Sequence, residues 1–252
     1  MLTHPTLHTL QTLNLFGMAE ALEHQLQHPD LQALSFDERL GLLVDREVTA
    51  RENRRLTRLL QQAKLKVPAC IEDIDYRHPR GLKRTQIAPL LTGEWIRAHQ
   101  NLCLLGPTGT GKTWLACAWG NLACRLGFSA HYLRLPRLFE LLRIAHGDGS
   151  YLRLMKLWAK IDLLILDDWG LEPPSATDCK DLLEIMDDRY GTRSTLITSQ
   201  LPIDHWHTYL SSNPTMADAI LDRLLHNTHK ILLKGESMRK TSPELTTTAP
   251  AE

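Results

Sequence analysis

The octapeptide GPTGTGKT, residues 106–113, restricts the possible folds of this chain more than any other stretch. It matches G-x-x-x-x-G-K-[ST], a loop whose glycines let backbone N–H groups turn inward on phosphates while the next helix adds the positive end of its dipole. Such a loop requires a buried strand before it and a helix after it. Both are expected here, from the apolar run 102–105 and from an amphipathic segment starting near Lys112. Gly106, Pro107, Thr108, Gly109, Thr110, Gly111, Lys112, Thr113 and Trp114 are therefore expected to hold ATP. Lys112 would reach the β- and γ-phosphates, and the Thr113 hydroxyl would ligate Mg2+.

A phosphate loop also needs a carboxylate at the end of another buried strand. IDLLILDDWG supplies Asp167 and Asp168 after four apolar residues. Asp167 is expected on the metal side, through water, and Asp168 beside the attacking water. Strand candidates at 102–105, 130–135, 163–166, 195–198 and 231–233 alternate with helical patterns, which predicts a five-stranded parallel sheet covered on both faces. The strand at 130–135 falls between the phosphate loop and the acidic pair. That insertion departs from the simple kinase and GTPase layout and points to ATPases that couple hydrolysis to movement.

Ahead of this α/β region, residues 1–66 carry apolar residues at helical spacing, with a break near Pro29, and predict a small all-α domain. Residues 67–100, with Pro68, Pro79, Gly81 and Pro89, read as a linker leading into an ATPase domain over 101–240. The tail 241–252 is poor in apolar residues and reads as disordered. Lys plus Arg equals Asp plus Glu, 29 of each, so overall charge suggests no partner and any electrostatic signal must be local. Cys70, Cys103, Cys117, Cys124 and Cys179 form no CxxC pair and read as reduced thiols. No apolar run reaches membrane-spanning length and the N-terminus has no signal-peptide pattern, which predicts a cytoplasmic protein with no membrane partner.

The run STLITSQLPIDHWHTYLSSNPTMADAILDRLLHNTHKILLKGESMRK resembles the IstB family, helper ATPases encoded beside transposases in bacterial insertion sequences. It is also similar to their DnaC/DnaI helicase-loader relatives within the AAA+ superfamily, although AILDRLLH and GESMR look more like IstB. The resemblance implies a P-loop AAA+ core and a cytoplasmic bacterial protein. It also implies a γ-phosphate sensor at the end of the fourth strand, Ser199 or Gln200, where the family usually has Asn. Arg223 in AILDRLL would correspond to an arginine finger entering a neighbouring subunit's site, and Arg239 in GESMR to a second sensor on its own nucleotide. Asp168 stands where AAA+ proteins usually carry Glu, one methylene longer. Only 19 residues follow Leu233, so the lid domain is expected to be reduced or absent, with the segment around Ile74 and Tyr76 completing the adenine pocket.

Local charge suggests what the ATPase acts on. Arg51, Arg54, Arg55 and Arg58 follow i, i+3, i+4, i+7 spacing and form a one-sided stripe suited to successive phosphates of a duplex. The alternative is a solvated face paired with Glu47 and Glu52. Arg80, Lys83 and Arg84 form a second basic cluster, in YRHPRGLKR. Residues 136–160 read as two helices broken at HGDGS, and carry Arg137, Arg143, Arg153 and Lys156. In the initiator and helicase-loader branch an added helix here faces DNA in a central channel. The implied function is a AAA+ ATPase that assembles as a ring or spiral on double-stranded DNA and recruits or activates the transposase of its own element. A replicative helicase loader is the related alternative. A small-molecule kinase would need arginines in a closing lid, whereas here they follow the fourth strand. His24 and His28, at i and i+4, have no evident third metal ligand, and the tryptophan between His205 and His207 is explained by packing.

Overall fold

The computed structural model describes residues 5–210 and 213–238, the side chain of Gln32 excepted. Arg239 and the tail 241–252 lie outside the described residues. The chain divides into two compact units, Met1–Leu59 and Leu60–Glu252. In the first, α1 (Pro5–Thr12) and α2 (Phe16–Gln27) precede a single 3-10 turn that starts at Pro29, and α3 begins at Phe36 and runs to Ala63. Proline at that turn removes an amide donor and stops the helical ladder, so the break falls where the sequence predicts it. Glu47 of α3 is buried and accepts from the amides of Gly17 (2.7 Å) and Met18 (3.1 Å), capping the otherwise unpaired N-terminal donors of α2.

The second unit opens with the stretch expected to be a linker. It is instead packed: Ala69, Ile71, Ile74, Leu82, Ile87, Leu90, Trp95 and Ile96 are all buried. It contains the short helices α4 (Arg84–Ile87) and α5 (Glu94–Arg97), and a 3-10 turn at Ile71–Asp73 that packs on the helix following the phosphate loop. Its prolines shorten the helical turns without unpacking them.

The α/β core follows as β1 (Asn101–Leu105), α6 (Lys112–Arg125), β2 (Ala130–Arg134), α7 (Leu135–Asp148), α8 (Tyr151–Lys160), β3 (Leu163–Trp169), α9 (Ala176–Arg189), β4 (Ser194–Ser199), α10 (Trp206–Tyr209), α11 (Pro214–Leu225) and β5 (Thr228–Leu232). The sheet order is β2-β3-β4-β1-β5, all parallel. Alternate strand residues face opposite sides. Cys103, Leu105, Leu164, Leu166 and Ile197 join the core under α7, α8, α9 and α11. The other face is covered by α6, whose Gly120 lies against the Ile165 side chain. Both faces are closed, so the strands are apolar throughout rather than alternating.

The β5 strand starts at Thr228, three residues before the expected run. Thr228, His229 and Lys230 are only partly covered because β5 is the edge of the sheet, and an edge strand needs little apolar character. Arg189 is buried and donates to the carbonyls of Trp158, Ile161 and Ser194, fastening the end of α9 to the start of β4. Burial lowers its pKa to about 9. Trp206 packs against Trp169 with ring centroids 5.0 Å apart, in agreement with a packing role.

Candidate nucleotide site

Parallel strands expose their carboxyl ends together, and in this order β1 stands between β4 and β5, where crossovers leave in opposite directions. The phosphate loop occupies that point. Gly111 closes it with φ +89°, a left-handed turn that favours glycine, and α6 begins at the next residue. The Lys112 ammonium donates to the carbonyls of Gly106 and Pro107, each at 2.7 Å.

Thr113, the first-turn residue of α6, has its hydroxyl 3.0 and 2.9 Å from the two carboxylate oxygens of Asp167. Asp167 is fully buried at the end of β3. Two further hydroxyls converge on it: Tyr132 from β2 donates at 2.5 Å, and Thr198 from β4 donates to the other oxygen. Three hydroxyls from three elements hold this anion where water would otherwise solvate it. Burial and then the bond to Asp167 push the Tyr132 phenol far above its ordinary value, so it remains a donor.

Asp168 points elsewhere because the ladder between β3 and β4 changes register between Leu166 and Trp169. Within that irregularity Asp168 takes φ +64°, a backbone state that Asp tolerates better than most residues. Its carboxylate accepts from Arg134 Nε at 2.6 Å, and that bond raises the pKa of Arg134. Arg134 is the residue opposite Asp167 in the β2–β3 register.

A cavity of about 800 Å3, within the usual range for small-molecule sites, is lined by the phosphate loop, Trp114, Asp168 and Gln200. Asp73, Asp75 and Arg80 close its other side. The Thr113 hydroxyl in this lining and the Asp167 carboxylate bonded to it present oxygens. That chemistry fits a hard cation such as Mg2+. His24 and His28 stack, with ring centroids 4.0 Å apart.

The structure separates several residues that the sequence grouped. Gln200 is exposed to the cavity, whereas Ser199 is buried and its hydroxyl donates to the Trp169 carbonyl at 2.8 Å. Arg80, expected on a DNA surface, is 2 % exposed beneath the phosphate loop. Arg223 is at the opposite end of the sheet from the loop: its carbonyl accepts from Asn101 at the start of β1, and its guanidinium pairs with Asp187. Arg51 and Arg54 both pair with Glu47, at 2.7 and 3.2 Å, which is the pairing alternative for half of that stripe. Arg143 pairs with Asp178 at 2.8 Å, and Arg84 stacks on Tyr76. Arg55, Arg58, Lys83, Arg153 and Lys156 are exposed.

Thr198, Tyr132 and Arg134 were missed in the sequence. The only trace of them was polar side chains inside or at the end of apolar strand runs.

No helix among the described residues is long and apolar enough to cross a membrane. The fold is similar to the crystal structure of DnaI, with TM-score 0.58 and 22% identity over 67% of this chain and 95% of that one. It is also similar to the replication initiator DnaA bound to AMPPCP and single-stranded DNA, with TM-score 0.53 and 17% identity over 67% of this chain and 51% of that one. These likenesses establish a P-loop AAA+ fold. In sequence, the chain is 53% identical over 240 residues to an insertion-sequence ATP-binding protein of Sinorhizobium fredii, covering 95% of this chain and 98% of the relative. It is 58% identical over 203 residues to an ATP-binding protein of insertion sequence IS1162 from Pseudomonas fluorescens, covering 80% and 88%. The family model described as IstB-like ATP binding protein matches residues 8–245, and the chain belongs to that family.

Proposed function

We propose that this protein is a Mg2+-dependent ATPase that assembles on duplex DNA and recruits or activates the transposase of its insertion sequence. The observation that carries the ATPase reading is the hydrogen bond of Thr113, which lines the cavity, to the buried Asp167 behind it. Thr113 and Asp167 would hold Mg2+ there, and its charge would offset the charge that develops on the phosphate oxygens. Tyr132 and Thr198 orient Asp167. The backbone amides of residues 106–113 cradle the phosphates, and Lys112 swings from its loop carbonyls onto the β- and γ-oxygens. Asp168, aimed by its left-handed backbone and steadied by Arg134, orients the attacking water, and Gln200 senses the γ-phosphate.

Arg223 does not line the cavity of its own subunit. Arg223 is separated from the loop by the length of β1, about 13 Å at 3.3 Å per residue. A second subunit presenting Arg223 completes the site, so hydrolysis belongs to an assembly. Arg239 serves as a second sensor in its own subunit. DNA would be held by Arg55, Arg58, Lys83, Arg153 and Lys156, sequence-neutral phosphate contacts on exposed faces. The insertion-sequence relatives support the transposition setting, which for a bacterial element is the cytoplasm.

Sedimentation and duplex binding with ATP, with ADP and without nucleotide test this reading. ATP is expected to favour a DNA-bound oligomer that ADP releases. A protein that stays monomeric and ignores duplex in all three conditions refutes it.

A further inference from the structure

A phosphate loop binds because its amides converge, and convergent amides force the intervening carbonyls outward. Buried outward carbonyls need donors. In this chain two consecutive ones are served from outside the loop. The Gly109 carbonyl accepts from the Met238 amide at 3.0 Å. The Thr110 carbonyl accepts from Arg80 Nη1 at 3.2 Å. The same Nη1 lies 3.2 Å from Met238 Sδ, and Nη2 donates to the Asp75 carbonyl at 3.1 Å.

The two segments supplying these donors are also joined to each other. Lys234 donates its amide to the Arg80 carbonyl at 2.9 Å. The fit against the loop is close: a Cβ on Gly109, which has φ +81°, would overlap the Ser237 side chain, and one on Gly111 would lie 2.6 Å from Arg80 Nη1. Arg80 has no carboxylate among its hydrogen-bond partners in the described residues, and its Nε is buried with no partner there. A guanidinium so buried is costly unless its position is needed. Burial lowers its pKa, and the nearby charge of Asp75 offsets that only in part.

We infer that Arg80 and the segment 234–238 form a clamp on the outer face of the phosphate loop that fixes its amides for the nucleotide phosphates, so that nucleotide occupancy and the order of the strap after β5 are linked. Arg80 is a positioning residue: although it borders the cavity, its Nη1 and Nη2 donate to the Thr110 and Asp75 carbonyls, and it acts through the loop. Linkage is reciprocal, so phosphates that order the loop protect the strap, and loss of the strap weakens phosphate binding by the same factor. The inference rests on the nucleotide-site reading proposed above.

The test uses the full-length protein with ADP and Mg2+. A fluorescent ADP analogue reports affinity, and amide hydrogen exchange reports Lys234 and Met238. In the wild type, ADP is expected to slow exchange at both amides. Arg80→Gln should weaken ADP at least about tenfold and abolish that protection. Arg80→Lys, which keeps the charge but offers a single point donor, should remain weakened.

Because Arg80→Gln could also disturb folding, Met238→Pro provides a second perturbation, removing the donor to Gly109 at the edge of the fold. It should give a loss of similar size with an unchanged unfolding transition. A wild type that binds ADP, with all three variants binding within twofold of it or with strap amides indifferent to ADP, overturns the clamp. A wild type that fails to bind ADP overturns instead the nucleotide-site reading beneath it.

Discussion

Replacing Tyr132 with Phe removes one oxygen from the molecule and tests how Asp167 is held. The ring is 7 % exposed and the substitution nearly conserves its volume, so the packing between β2 and α6 should survive. What is lost is a hydroxyl donating at 2.5 Å to a carboxylate that is fully buried. Hydrogen bonds to charged groups contribute about 1.5–3 kcal/mol. Asp167 keeps the Thr113 and Thr198 hydroxyls, so it is not left bare. The loss should fall at the low end, about 1.5–2 kcal/mol of folding stability.

The functional consequence is separable from the stability loss. Removing the partner that orients a metal-side carboxylate typically costs about 10- to 100-fold in metal affinity or activity. Tyr132 does not itself line the cavity, so ADP binding without Mg2+ should hardly change. The Mg2+ concentration giving half-maximal ATP turnover should rise about tenfold, equivalent to about 1.4 kcal/mol. The assay is ATP turnover against free Mg2+ at fixed ATP, on protein shown to be folded by its urea transition. A Mg2+ curve that superimposes on the wild type, with stability alone reduced, would make Tyr132 a structural residue and refute the reasoning.

Three further perturbations follow from the geometry. Asp168→Asn keeps a residue that tolerates φ +64° but removes its charge; turnover should fall about 100-fold or more with nucleotide affinity within threefold, and retained turnover would remove Asp168 from the water's path. Arg223→Ala should lower turnover about 1000-fold or more while sparing ATP binding. Mixing it with Lys112→Ala should restore hydrolysis, since each subunit supplies what the other lacks, and a mixture as inactive as its parts would argue against a shared site. Glu47→Gln should destabilise the helical unit by about 2 kcal/mol at pH 7, read from faster exchange of the Gly17 and Met18 amides. The Arg51 bond holds the Glu47 carboxyl below its usual range, outweighing its burial. That stabilisation is therefore full above about pH 4.3 and disappears as pH falls through the lowered folded value. A difference between mutant and wild type that persists unchanged into strong acid would contradict this account.

The fold was legible wherever one residue type had one physical use. Glycines at 106, 109 and 111, the apolar runs of β1 and β3, and the paired acids define a loop and two buried strands with little choice of arrangement. Edges and crossovers were less legible. The polar start of β5 is a strand because β1 offers it a ladder, which no property of Thr228, His229 or Lys230 announces. Residues 67–100 read as a linker because prolines interrupt their periodicity, yet their apolar residues are buried in short turns, the one at Ile71–Asp73 packed on α6. Arg80 illustrates the hardest case. In YRHPRGLKR it is one basic residue among several, and charge counting cannot say which of them turns inward. Ser199 and Gln200 are similar: adjacent residues on a strand face opposite ways, and only the register of β4 against β3 decides which faces the cavity.

The same register explains why the two acids of the pair point to different places. In an unbroken strand, Asp167 and Asp168 would point to opposite faces of the sheet, one of them into the apolar core under α9. The irregularity after Leu166 and the left-handed turn at Asp168 remove that conflict. Asp167 stays at the buried end of the ladder, where three hydroxyls can hold it, and Asp168 swings out to Arg134 and the cavity. A glycine at 168 would make the turn with less strain but bring no carboxylate. A glutamate would bring a longer carboxylate but tolerate that backbone less well than Asp. The shorter acid at this position is thus what the backbone at the end of the third strand favours over the glutamate that the resemblance implies.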